Sequence, residues 1–159
     1  MDLLSTRTID MTKLALDGLM ERQKAVTANT ANVMTPGYRR QEVSFESQLK
    51  EIVVQDDLKT MIKEQNSIQY NPTSLEMAMG RPGPKLTPQQ ISYLQTDLYS
   101  TYNPQVTEDF VSGGDRTGNN VSLEAEAMEM AKVGTKYAIL STLEQKAIRN
   151  VSAAIKGDM

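Results

Sequence analysis

The chain has no cysteine, no histidine and no tryptophan, and aromatic residues fill only 5% of its 159 positions. Each absence removes a class of chemistry. Without cysteine there are no disulfides and no thiolate nucleophiles. Without histidine the commonest general base and the commonest metal ligand are missing together. No run approaches the roughly 20 apolar residues of a membrane span, so no direct membrane insertion is expected. The opening MDLLSTRTIDMTKLALDG lacks the basic start and the continuous apolar run of about 7–15 residues that mark a Sec signal peptide. A net charge of −3, with no polybasic patch, argues against a nucleic-acid partner.

What is present is helical periodicity at both ends and something different between them. From Ile9 a 3–4 ladder runs through Thr12, Leu16, Leu19, Gln23, Val26 and Thr30 to Val33, which keeps one stripe on one helix face. A stronger ladder runs through Leu123, Glu126, Met130, Val133, Tyr137, Leu140, Glu144, Ala147, Val151 and Ala154. Its length predicts a coiled-coil-like helix. Ser122 suits the N-cap, and Glu124 and Glu126 suit the first turn, where the helix dipole favours acids. Gly157 suits the stop. The expected inter-helix seam is therefore Leu16, Leu19, Val26 and Val33 against Leu123, Met130, Val133, Tyr137, Leu140, Ala147 and Val151.

Between the ladders, SFESQLKEIVVQDDLKTMIKEQ predicts a shorter helix. After Tyr70 the chain holds five of its six prolines, with turn signals at Pro82-Gly83 and Gly113-Gly114. This stretch predicts extended chain, turns and a short hairpin. The fold class is thus mainly α, with long terminal helices paired as a coiled coil and an irregular, partly β middle. Three segments follow: 1–35, 36–118 and 119–159. Two long helices that share one thin seam bury little apolar surface for the chain they order. Such ends are built to be completed by neighbours.

No catalytic constellation emerges. Asp56 and Asp57 read as a solvated helix face; Glu124, Glu126 and Glu129 could be imagined as metal ligands, but acids in a first helical turn have a sufficient structural explanation. SGGDRTGNN lacks the Lys-Ser/Thr ending of a phosphate-binding loop and the acid spacing of a calcium loop. No cofactor and no metal are expected. A carboxylate-based hydrolase is the remote alternative.

The stretch ANTANVMTPGYRR, residues 28–40, needs more than a helix end to explain it. Pro36 and Gly37 in Thr35-Pro36-Gly37-Tyr38 fit a type II turn. Asn29 and Asn32 share a helix face, where better helix formers would serve if only a helix were needed. Arg39 and Arg40 suit the negative helix end. The surplus asparagines point to a specific interface, either with the backbone of the chain as it folds back or with a second chain.

ANTANVMTPGYRR resembles the N-terminal motif of bacterial flagellar axial proteins, the rod, hook and hook-associated subunits. GNNVSLEAEAMEMAKVGTKYAILSTLEQKAIRNVSAAI is similar to the C-terminal helix of the rod group. The short length, and SFESQLKEI soon after Tyr38, most resemble the proximal rod type. The resemblance implies a non-enzymatic rod subunit of the flagellar basal body, in the periplasm-spanning part. The terminal helices would line a hollow tube, and Asn29, Asn32, Thr35, Pro36, Gly37 and Tyr38 would set how the chain meets an adjacent protomer. The implied partners are other rod subunits, the adaptor that joins rod to membrane ring at the rod base, and the flagellar type III export apparatus. A different rod subunit and a soluble coiled-coil adaptor are the alternatives.

Overall fold

The computed structural model describes residues 3–69, 87–110, 113–114 and 116–156. The fold is mainly α: α1 (Leu3–Ala31), β1 (Gln41–Ser44), α2 (Glu46–Gln69), α3 (Pro88–Gln95), α4 (Leu98–Thr101), β2 (Gln105–Glu108) and α5 (Leu123–Lys156). The described residues divide into two compact units. One is built from both ends, up to Leu49 and from Asn103 onward, and the other lies within Lys50–Tyr102.

In the first unit α1 and α5 pack lengthwise. No proline interrupts α1. It ends as its last bonds tighten, with Asn32 N–H reaching the carbonyls of both Ala28 and Asn29 at 3.1 Å. Shorter-range bonds of this kind satisfy groups that a helix end leaves open. Thr12, Ala15, Leu16, Leu19, Ala25, Val26 and Asn29 are buried. Thr12 is a polar rung without a penalty, because its hydroxyl donates to Thr8 O (2.8 Å) and Ile9 O (2.9 Å) of its own helix.

The stripe departs from the expected ladder in its second half. Gln23 and Thr30 are exposed, while Arg22 is half-buried and Asn29 is buried. At 3.6 residues per turn either neighbour fits the stripe, and those with partners inside take it. Val33 stands beyond the helix end, half-buried in the turn. On α5, Val133 and Ala147 are buried, and Met130, Leu140 and Val151 are half-buried. Leu123 is 55% exposed and Tyr137 39% exposed, so neither is closed off by α1. Gly157 lies outside the described residues.

The two strands pair antiparallel, with Gln41 opposite Glu108 and Ser44 opposite Gln105. This is a long-range pairing, where a local hairpin was expected, and it holds the only strands among the described residues. The Pro-rich stretch is also more helical than expected. Pro88 opens α3 at the first helical position, where its missing N–H costs nothing. Asp97 caps α4, its side chain accepting from the N–H groups of Tyr99 and Ser100. The turn expected at Pro82-Gly83 lies outside the described residues. In this second unit Gln55 is fully buried, and its amide donates to the carbonyls of Tyr93 (2.5 Å) and Thr96 (2.8 Å).

Val43 of β1 and Phe45 just after it enter the first unit's core. Arg22 covers the Phe45 ring at 4.8 Å from its centroid, donates to Val43 O at 2.7 Å, and grips Glu46 with both terminal nitrogens. Burial disfavours the Glu46 carboxylate, but its hydrogen bonds from Arg22 and from backbone N–H groups outweigh this and lower its pKa. A lowered folded pKa contributes stability at neutral pH that is lost as pH falls through that value. The Glu46 side chain is half exposed, so screening keeps the effect below about 1 kcal/mol. Glu46→Gln is expected to be slightly less stable than the parent at pH 7. The gap should close as pH falls below the ordinary carboxylate range, as read by urea unfolding at a series of pH values.

Candidate functional site

The junction of α1, the following turn, β1 and the start of α5 gathers the chain's most specific polar contacts. Thr35–Tyr38 forms the turn, with Tyr38 N–H donating to Thr35 O at 3.3 Å and Gly37 at φ +73°. This is the left-handed third position that a type II turn requires. Gly37 N–H donates to Thr117 O at 2.9 Å, which ties the turn to the segment before α5. Pro36 itself is exposed.

The turn sends β1 back past the end of α1, and Asn29 receives it. The Asn29 amide accepts from Gln41 N–H and donates to Gln41 O, both at 2.8 Å. It pairs with β1 as the backbone of a neighbouring strand would. The same amide accepts from Tyr38 Oη and donates to Glu126 Oε2, both at 3.3 Å. A residue with donor and acceptor on one short side chain is needed here, and a carboxylate does not meet that need. Asn32 serves its own helix end, donating to Ala28 O at 2.9 Å and accepting from the Thr35 hydroxyl at 3.2 Å.

Two asparagines before α5 answer the two on α1. Asn119 Nδ2 donates to the carbonyls of Asn32 (2.9 Å), Val33 (3.0 Å) and Thr35 (2.9 Å). These carbonyls belong to the segment and turn that follow α1, so one side chain ties that whole stretch to the approach of α5. Asn120 accepts from Arg40 N–H at 2.7 Å and donates to Asp109 O at 2.8 Å. Asp109 N–H in turn donates to Arg40 O at 2.8 Å, which carries the ribbon one pair past Gln41.

At the centre lies an ion pair. Arg40 Nε meets Glu126 Oε1 at 2.6 Å, and the Glu126 side chain is 0% exposed. Burial works against the charge on Arg40, but the hydrogen bond and charge of Glu126 more than compensate and raise its pKa. Burial, with the Glu126 charge next, also raises the Tyr38 phenol, so it stays a donor to Asn29. Among the described residues every buried side-chain nitrogen and oxygen has a partner. None of the described residues forms a group of three or more acidic side chains placed to hold a metal ion. With its polar capacity spent internally, the junction is arranged to fix geometry.

Asn29, Asn32, Thr35, Gly37 and Tyr38 thus meet in one network, and four further residues complete it. Glu126 reads from sequence as a first-turn acid, and Arg40 as a favourable charge at a helix end. Their pairing spans 86 positions, which no local pattern shows. Asn119 and Asn120 did carry a signal, since two adjacent asparagines just ahead of a helix N-cap repeat the surplus seen in α1.

Over 94% of its length the chain is similar to two curated proteins. It is 23% identical, over 150 residues, to the flagellar basal body rod protein FlgB of Borreliella burgdorferi, covering 96% of that protein. It is 22% identical, over 149 residues, to the FlgB of Borrelia hermsii, again covering 96% of it. No family model matches the chain. Both relatives are named as rod proteins of the flagellar basal body, and both align well beyond the two end motifs.

Removing one member of a buried pair strands the other, at a cost of about 3–5 kcal/mol, whereas replacing both with apolar residues is far milder. Arg40→Ala is therefore expected to destabilise the first unit strongly, and Arg40→Met with Glu126→Leu to recover most of the loss, as read by urea unfolding. Gly37→Ala meets no atom within 4 Å, so its cost is the left-handed backbone alone, about 1–2 kcal/mol. Gly37→Asn should cost less in the same measurement.

Proposed function

We propose that the chain is a structural subunit of the proximal rod of the bacterial flagellar basal body, without enzymatic activity. It assembles head-to-tail with other rod proteins into a hollow helical shaft. The observation that carries this reading is the similarity to two FlgB proteins along nearly the whole chain. The geometry supports it independently. Both terminal motifs, far apart in sequence, meet at one rigid junction whose purpose is shape.

In this reading residues 1–35 and 119–159 form the inner coiled-coil helices, and 36–118 form the turn, the shorter helix and the irregular middle. Neighbouring subunits cover the apolar side chains that the pair leaves exposed, such as Met20, Ile139 and Leu143. A heterologous interface that does not close yields a filament, as a shaft requires. The partners are other rod subunits and the adaptor that joins rod to membrane ring. Delivery is by the flagellar type III export apparatus and needs no Sec signal peptide. No helix of the described residues is long and apolar enough to cross a membrane.

The decisive experiment is electron microscopy of basal bodies from a strain lacking this gene. Rings without a rod, together with lost motility, are expected. Complete rods and hooks in that strain would sink the reading and favour a soluble coiled-coil adaptor. A truncated rod would point instead to a more distal rod subunit.

A further inference from the structure

Beside the ion pair lies a cavity of about 150 Å³, walled by Val26 and Val43 and lined by four charged side chains, Arg22, Arg40, Glu42 and Glu129. Its two arginines are already matched. Arg22 is held by Glu46 at 2.7 Å and by Val43 O, and Arg40 by Glu126 at 2.6 Å. Its two carboxylates are not matched to the same degree. Glu42 has Arg40 Nη1 only at 3.8 Å, and Glu129 shares the exposed Lys132 at 3.2 Å. The charge left over in this cavity is negative, and it comes from two elements, β1 and α5.

The same chain presents the complement. From Val133 to Lys156, α5 carries Lys136, Lys146, Arg149 and Lys156 against one acid, Glu144. Lys136, Ile139, Leu143 and Lys146 follow 3–4–3 spacing, so they form one stripe, and all four are exposed. At 1.5 Å per residue, Lys136 and Lys146 lie about 10 and 25 Å along the helix from Glu129. A lysine side chain does not bridge the longer of these gaps, so Lys146 does not serve its own cavity. Because α1 runs into the junction and α5 runs out of it, the acidic cavity sits at one end of the helix pair and most of the basic residues sit beyond it.

We infer that the cavity is a socket for a lysine of a second copy of this chain, supplied by the Lys136–Lys146 stripe, with Ile139 and Leu143 packing beside it. This rests on the self-assembly in the rod reading and names the contact that sets its direction. An offset between stripe and socket makes the contact head-to-tail. Opposite charge at the two faces steers that encounter and rejects like ends.

The test uses the full chain as an equal mixture of unlabelled and 15N-labelled protein, joined by a zero-length carbodiimide cross-linker and read by mass spectrometry. Mixed-isotope links from Glu42 or Glu129 to Lys136 or Lys146 are expected. Their yield should fall about two- to fivefold in roughly 1 M salt, where the screening length is about 3 Å. Glu42→Gln with Glu129→Gln, and separately Lys146→Glu, a change at an exposed position, should each lower sedimentation-detected self-association in the same range. Links from these glutamates confined to a single copy, or made to lysines elsewhere, would overturn the socket. So would unchanged self-association in both variants. The socket and the rod assignment fail separately, since intact rods in the deletion strain leave mixed-isotope links as they were.

Discussion

The first unit depends on one constraint: a carboxylate removed from water must have its charge met. Glu126 sits one turn into α5 with no exposed surface, and only Arg40 approaches it as a cation within salt-bridge distance among the described residues. That requirement fixes the position of β1, because Arg40 immediately precedes it. It also fixes the register of α5 against α1, because Asn29 touches the same carboxylate. A buried pair of this kind contributes little net stability compared with an apolar alternative, but mispairing is costly. Its use here is to exclude the wrong arrangements of two helices whose apolar seam, with several polar rungs, would tolerate sliding.

The asparagines extend that exclusion to the backbone. Asn29 fills the outer edge of β1 at Gln41, and Arg22 fills it again at Val43 O. Side chains thus cap an edge that would otherwise offer free N–H and C=O groups to another strand. Asn119 does the equivalent for the turn that follows α1. The junction is therefore both rigid inside and closed at its edge, while the far reaches of α5 keep Ile148 and Ile155 exposed.

How much of this was legible in the sequence follows from the range of each interaction. Helices α1 and α5 were readable because their 3–4 spacing is local, and the turn after α1 because Pro36 and Gly37 have few other uses. The second half of the α1 stripe was not, since Arg22 and Asn29 turn inward only when Glu46 and Gln41 are in place to meet them. The helices at 88–101 were hidden by composition. Proline weighed against a helix, although Pro88 occupies the one helical position that welcomes it. The asparagines announced a specific contact, with the returning chain or with a second one; that Asn29 meets β1 and α5 of its own chain is a fact of topology.

The pairing of Ser44 with Gln105 has a consequence for the segment it encloses. Everything between them leaves and re-enters at neighbouring backbone positions, about 5 Å apart in an antiparallel ribbon. A segment anchored in this way can be lengthened at an entropic cost of only about 0.6 kcal/mol for each doubling. The ribbon thus fixes where that segment begins and ends, whatever its length.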